Sequence, residues 1–389
     1  WALTKTDINP MLYALPTYPK FVRPVNLFRF SGLSVFLLVG LLTACQQPGT
    51  EAADPKSTAV AETPARFELL EAQATGITFV NQVKDRNDFN ILTYRNYYNG
   101  GGVAIGDVNN DGLPDLYFTA NLAGNKLYLN KGDLQFEDIT EAAGVAGTKA
   151  WSTGVTMADV NGDGWLDIYV SNSGDVDGDN QENELFINNQ DGTFSERAAA
   201  YGLNNPGYST QAAFFDYDLD GDLDCYLLNN SFKDPSRIEL FRSMRDTPDE
   251  LGGDKLYRND GPDDEGVRFT DVTLEAGIYS SVIGFGLGAV IGDINHDFYP
   301  DIYISNDFWE RDYLYLNQQD GTFSEELIDR IDFCSISSMG GDMGDLNNDG
   351  HPEIISTDML AAGNERPNAM TTLDPYHLEA IKHRAHYHY

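Results

Sequence analysis

Basic residues are scarce in this chain: 25 Lys and Arg stand against 61 Asp and Glu over 389 residues, a net charge of −36. No basic patch is present to neutralise phosphates, which excludes nucleic acid as a partner. Cysteine is nearly absent as well. Cys45 lies in the N-terminal leader, while Cys225 and Cys334 sit far apart in apolar, strand-like sequence, a placement that predicts two buried free thiols rather than a disulfide framework. The apolar run from Phe30 to Leu42 is too short to span a bilayer, which takes about 20 residues.

That run has another reading. Lys20, Arg23 and Arg29 precede it and Leu42-Thr-Ala-Cys45 follows, the order of a secretory signal peptide. The last four residues resemble the bacterial lipobox, which implies lipidation at Cys45; a soluble product cut near Ala44 is the alternative. Residues 1–45 are therefore expected to be a signal peptide, with 1–10, ahead of the first methionine at Met11, not translated. Residues 46–65, rich in Pro, Ala and Thr, are expected to be a flexible tether.

What is plentiful is oxygen at regular spacing. Five runs place Asp, Asn or Glu at positions 1, 3, 5 and 9: Asp107, Asn109, Asp111 and Asp115; Asp159, Asn161, Asp163 and Asp167; Asp216, Asp218, Asp220 and Asp224; Asp293, Asn295, Asp297 and Asp301; Asp345, Asn347, Asp349 and Glu353. A loop that curls around a hard cation turns positions 1, 3 and 5 inward and permits a sharp bend with Gly at position 6, as in the EF-hand. Here the closing acid stands at position 9 and strands flank the loop. Ordinary Asx-turns would use the same residues. Two carboxylates about 4 Å apart, however, repel by about 4 kcal/mol at an effective dielectric near 20, so five such clusters predict a cation. Ca²⁺ is expected rather than Mg²⁺, which holds its own waters. The third run, with Asp222 as a fifth acid, is expected to depend most on its ion. The fourth has Phe298 in place of Gly and is expected to be weak or distorted, because a bulky residue resists positive φ.

The first Asp of each run falls at 107, 159, 216, 293 and 345, a period near 50 residues that points to a propeller or solenoid. Each repeat reads as a Gly-rich strand, the acidic loop, a second strand, a Leu-Tyr-Leu-Asn-like third strand, a turn and a fourth strand. Four short strands make a propeller blade. Residues 67–77 read like 136–145, which predicts an orphan fourth strand ahead of the first full repeat. The long third interval holds an insertion near 229–251, expected to be helical and basic. Residues 361–389 are expected to begin a further, truncated blade, since a complete ring of seven needs more chain than is present.

Gly101-Gly-Val-Ala-Ile-Gly-Asp-Val-Asn-Asn-Asp-Gly-Leu-Pro-Asp115 and Val155-Thr-Met-Ala-Asp-Val-Asn-Gly-Asp-Gly-Trp-Leu-Asp167 resemble FG-GAP (VCBS) repeats. The Leu-Tyr-Leu-Asn…Phe-x-Asp-Ile-Thr-Glu-x-Ala-Gly-Val suffix is similar to the ASPIC/UnbV, cartilage-acidic-protein-like branch. Over residues 66–360 the resemblance implies an all-β, integrin-α-like, calcium-binding β-propeller, seven-bladed when complete. With the lipobox it implies a cell-envelope lipoprotein held to the outer membrane by its lipid alone, on its periplasmic or surface face. The expected function is non-catalytic binding or adhesion toward a glycan or protein. Alternatives are a polysaccharide lyase or hydrolase on the same scaffold, or a structural subunit of an envelope complex. His296 and His351 read as turn residues, and the group His377, His383, His386 and His388 as a polar tail. Tyr97, Tyr98, Trp151, Tyr208 and Phe285 read as inter-blade packing, with sugar stacking as the alternative.

Overall fold

The computed structural model describes residues 67–174, 176–233, 242–263, 266–308, 310–335 and 337–358. Four complete four-stranded antiparallel meanders follow one another along the chain. The first contains β1 (Val103–Gly106), β2 (Asp115–Phe118), β3 (Lys126–Asn130) and β4 (Phe136–Asp138). The second contains β5 (Ser152–Ala158), β6 (Asp167–Asn172), β7 (Glu184–Asn188) and β8 (Phe194–Glu196). β9 (Ser209–Phe215), β10 (Asp224–Asn229), β11 (Lys255–Asp263) and β12 (Gly266–Asp271) form the third. β13 (Gly286–Gly292), β14 (Asp301–Asn306), β15 (Tyr313–Asn317) and β16 (Phe323–Glu325) form the fourth. β17 (Ser338–Gly344) and β18 (Glu353–Asp358) are the two described strands of a fifth.

These sheets are the blades of a β-propeller, and the sequence pattern explains how they stack. Every residue of β6, β10 and β14 is buried, because both faces of a second strand meet neighbouring blades. Such strands read as short continuous apolar runs, not as alternations. One core, with Val108, Tyr117, Leu127, Ile168 and Phe186, joins blades 1 and 2. Tyr169, Leu185, Cys225, Leu227 and Tyr257 join blades 2 and 3, and Tyr226, Leu256, Ile302, Ile304 and Tyr315 join blades 3 and 4. Burying each such side chain contributes about 1.5–3 kcal/mol.

The first strands line up side by side around the axis. Thr153 Oγ1 donates to the Ser209 carbonyl at 2.7 Å and Thr210 Oγ1 to that of Gly286 at 3.2 Å, each bond running from one inner strand to the next. The approach is close enough that a Cβ on Gly154 would lie 2.5 Å from the Thr210 carbonyl oxygen. Glycine at Gly102, Gly154 and Gly288, each facing the backbone of the next inner strand, is therefore a packing requirement.

Two expectations are corrected. Residues 67–71 form no strand: Phe67 and Leu69 are exposed, no strand among the described residues pairs with them, and only the helical turn Ala72–Thr75 with left-handed Gly76 repeats the pattern of Thr140–Ala143 and Gly144. Cys225 is a buried free thiol, but Cys334 is only partly buried. The insertion contributes one helical turn, Arg242–Arg245, and its residues 234–241 lie outside the described set. So do the leader with Cys45, the tether to residue 65, and 361–389 with its histidines.

Candidate metal centres

The acidic runs are the connections between first and second strands, so all five lie at the same end of their blades. Their shared conformation is built by carboxylates accepting backbone N–H groups. The first Asp takes the amides of positions 5 and 6 on its two oxygens, at 2.7–3.1 Å, in every copy. Position 5 then accepts the amide of position 7, as Asp111 does from Leu113 and Asp297 from Tyr299, both at 2.9 Å. The backbone turns through the left-handed region at position 4 in each loop: Asn110, Gly162, Leu219, His296 and Asn348 have φ between 56° and 69°. The sequence reading missed this second bend, whose signal is the Asn or Gly at three of the five positions.

Position 9 has a double role. Asp115 Oδ2 accepts from Val108 N at 3.0 Å and Oδ1 from Asn130 N at 2.8 Å; Asp167, Asp224 and Asp301 do the same with position 2 and the third-strand asparagine, Asn188, Asn259 or Asn317. These four carboxylates are fully or almost fully buried. Burial outweighs the two amide bonds and raises their pKa values, to about 7 for Asp167 and about 7 for Asp224; the neighbouring acids of each loop push the same way. Each oxygen retains a lone pair for a cation. In the fifth loop Glu353 takes the place of Asp, accepting from Leu346 N and from Asn347 Nδ2.

The asparagine ending the third strand is a functional residue that sequence reasoning used only as a repeat marker. Asn188 donates its amide N–H to Asp167 of its own blade and its Nδ2 to the Val108 carbonyl of the preceding loop, both at 2.8 Å. Asn317 bridges in the same way to Tyr217, at 2.7 Å. Each such residue ties one loop to the next blade.

Copies differ at position 3. Asn109, Asn161 and Asn295 donate Nδ2 across the loop to position 5, at 2.9–3.1 Å. In the third loop Asp218 stands there and has no proton to give. Asp216, Asp218 and Asp224 each bring an oxygen to within 4.8 Å of the others. Oδ1 of Asp218 and Oδ1 of Asp222 are shielded from water and accept no hydrogen bond. Burial and the crowded acids raise both pKa values, that of Asp222 to about 6. An all-oxygen donor set with two unpartnered carboxylate oxygens fits a hard, oxygen-seeking cation. Phe298, 86% exposed, adopts φ 72° and keeps every loop hydrogen bond, so the fourth loop is not distorted; the carboxylate–amide bonds hold the bend despite the bulky residue.

A groove of about 430 Å³ opens beside the third loop, lined by Tyr217, Asp218, Arg258, Glu275, Gln319 and Thr322 from blades 3 and 4. At the opposite end of the blades, Tyr97, Trp151 and Phe285 are buried, as packing predicts, while Tyr98 is exposed. Tyr97 and Trp151 pack with Phe89 and Tyr94 of the segment that precedes blade 1. Its Arg95 stacks 5.1 Å from both the Phe285 and Phe308 rings and donates to Asn230 and to the Ser231 carbonyl. That segment spans blades 2 to 4 over the starts of the inner strands.

Residues 107–170, 173–227 and 293–356 match the FG-GAP-like repeat family. Cartilage acidic protein 1 of Xenopus tropicalis is 32% identical over 155 residues, 39% of this chain and 23% of that protein. Its Homo sapiens counterpart is 27% identical over 214 residues, 54% of this chain and 28% of that one. The chain thus spans about a quarter of the length of these relatives. Among solved structures, an Agrocybe aegerita lectin that recognises non-reducing terminal N-acetylglucosamine aligns with TM-score 0.37 and 19% identity, over 65% of this chain and 59% of that one. The V. cholerae biofilm matrix protein Bap1 aligns with TM-score 0.36 and 13% identity, over 69% and 36%.

Proposed function

We propose that this FG-GAP-like repeat chain is a calcium-braced, non-catalytic binding module of the cell envelope, anchored through Cys45, with a glycan or protein as its ligand. The observation that carries the calcium assignment is the third loop, whose buried Asp218 and Asp222 oxygens have no donor. Ca²⁺ supplies the missing charge there. In the other loops it draws on positions 1, 3, 5 and 9: Asp107, Asn109, Asp111 and Asp115 in the first, and the equivalent residues in the rest.

Calcium does structural work in this scheme. The carboxylates that would ligate it also hold the loop amides and, through the third-strand asparagines, the next blade. A rigid row of blades then presents its loops and grooves to a partner. The groove beside the third loop has the volume of a small-ligand site, and Arg258 with Tyr217, Glu275 and Gln319 gives it the polar lining that a saccharide or a polar peptide segment requires.

The test is retention on a panel of immobilised polysaccharides and envelope or matrix proteins, in Ca²⁺ and then in EDTA, with product analysis after long incubation. Calcium-dependent retention that leaves the ligand chemically intact is expected. Shortening of a retained polysaccharide would overturn the non-catalytic reading.

A further inference from the structure

We propose that His296 and His351 form a second kind of cation site, a two-imidazole seat for a borderline divalent ion of the zinc class that clamps the fourth blade to the fifth. It stands apart from the calcium assignment, because the donors are nitrogen and the loop carboxylates are not needed for it.

The two rings come from different repeats. His296 is position 4 of the fourth loop and His351 is position 7 of the fifth. His351 Nδ1 lies 2.7 Å from His296 Nε2, with ring centroids 4.6 Å apart and planes at 76°. Both residues are exposed, so an ion reaches them without opening the fold. Neither sits on a loose backbone. His296 occupies the left-handed bend at φ 64°, between residues bonded to Asp293 and Asp301, and His351 donates its amide to Asp349 at 2.9 Å. The same seam recurs between the first and second loops, where Asn110 at position 4 donates Nδ2 to the Gly164 carbonyl at 3.1 Å. Position 4 thus reaches the following loop at the first seam and at the last described one, where two imidazoles make the contact.

Metal chemistry favours this pair over its present hydrogen bond when a suitable ion is available. Zn–N bonds are about 2.0–2.1 Å, so two nitrogens on a tetrahedral ion stand about 3.4 Å apart. The rings need to separate by less than about 1 Å, within the reach of small χ rotations. His296 then ligates through Nε2 and His351 through Nδ1, each ring carrying its proton on the other nitrogen. The proton now held between the rings moves to the outer nitrogen of the donor ring by exchange with water. Water fills the remaining positions. Imidazole nitrogen suits Zn²⁺, Ni²⁺ and Cu²⁺, whereas Ca²⁺ takes oxygen, so one face of the propeller sorts two metals by donor type.

The experiment is a Zn²⁺ titration of the full chain by calorimetry in millimolar Ca²⁺, which keeps the carboxylate loops filled. The background carries His377→Gln, His383→Gln, His386→Gln and His388→Gln, so that the C-terminal histidines contribute nothing. One Zn²⁺ per chain is expected, with affinity falling at least tenfold in either His296→Gln or His351→Gln. Zn²⁺ should raise the melting midpoint of the background protein and leave those two variants unmoved. Equal midpoints for all three without Zn²⁺ establish that the variants fold. No Zn²⁺ uptake in the background, or uptake unchanged by both substitutions, overturns the proposal.

Discussion

The third loop, Asp216–Asp224, and the fourth, Asp293–Asp301, follow the same backbone path with different chemistry. Both place their first Asp on the amides of positions 5 and 6, and both bury the position 9 Asp beneath two backbone amides. The third has five carboxylates, glycine at the bend and two oxygens without donors. The fourth has three carboxylates, an Asn whose Nδ2 bonds Asp297, and Phe298 in a left-handed conformation. Hydrogen bonds therefore set the shape of a loop, and the number of carboxylates sets how much it needs an ion. The fourth loop holds its shape on its own bonds, while the third gathers charge that only a cation offsets.

The largest effect is expected where shape itself is removed. Asp224→Ala leaves the buried amides of Tyr217 and Asn259 without their acceptor, and should cost about 2–4 kcal/mol in urea unfolding with or without Ca²⁺. Asp218→Asn separates shape from charge. It should stabilise the Ca²⁺-free protein by about 1–2 kcal/mol, because it removes a repelling charge, and destabilise the Ca²⁺-loaded protein by removing a ligand. Loss of stability in both conditions would mean that Asp218 has only a packing role.

Acidity offers a third handle. Asp167 and Asp224 are raised from 3.8 to about 7 in the folded chain, and Asp222 to about 6. A carboxyl with a raised folded pKa contributes stability below its unfolded pKa and loses it as pH rises through the folded value. The Ca²⁺-free protein should therefore melt lower at pH 7.5 than at pH 5. Bound Ca²⁺ holds the loop carboxylates ionised, so the loaded protein should lose stability as pH falls instead. Asp254, buried beneath Tyr226 and also raised to about 7, leaves a smaller slope of the first kind in either state. The smallest effect is expected at the exposed bend: Phe298→Gly relieves the left-handed strain and should stabilise the fourth loop by about 1 kcal/mol, read as a shift in the urea midpoint.

The repeats were legible because their period and their fully buried second strands, each an apolar run behind a leading Asp, follow from blade packing. The position of every acidic loop was legible for the same reason. What could not be read concerned partners distant in sequence. Asn188 and Asn317 look like strand-end residues until the neighbouring blade supplies the Val108 and Tyr217 carbonyls. The distortion expected at Phe298 rested on a local preference that the two oxygens of Asp293 override. The first strand-like stretch, residues 67–71, carries the fourth-strand pattern but pairs with no strand among the described residues. His296 and His351 are turn residues, as read, but their 2.7 Å approach depends on two loops from successive blades.

The most direct measurement is the melting midpoint of the protein in millimolar Ca²⁺ and again in EDTA, with Mg²⁺ as control. One site whose dissociation constant lies a hundredfold below free Ca²⁺ adds about 2.7 kcal/mol, so several loops should raise the midpoint by many degrees, and Ca²⁺ should do so far more than Mg²⁺. Equal midpoints in Ca²⁺ and EDTA would contradict the account, leaving the five acidic loops as turns held by their own amides alone.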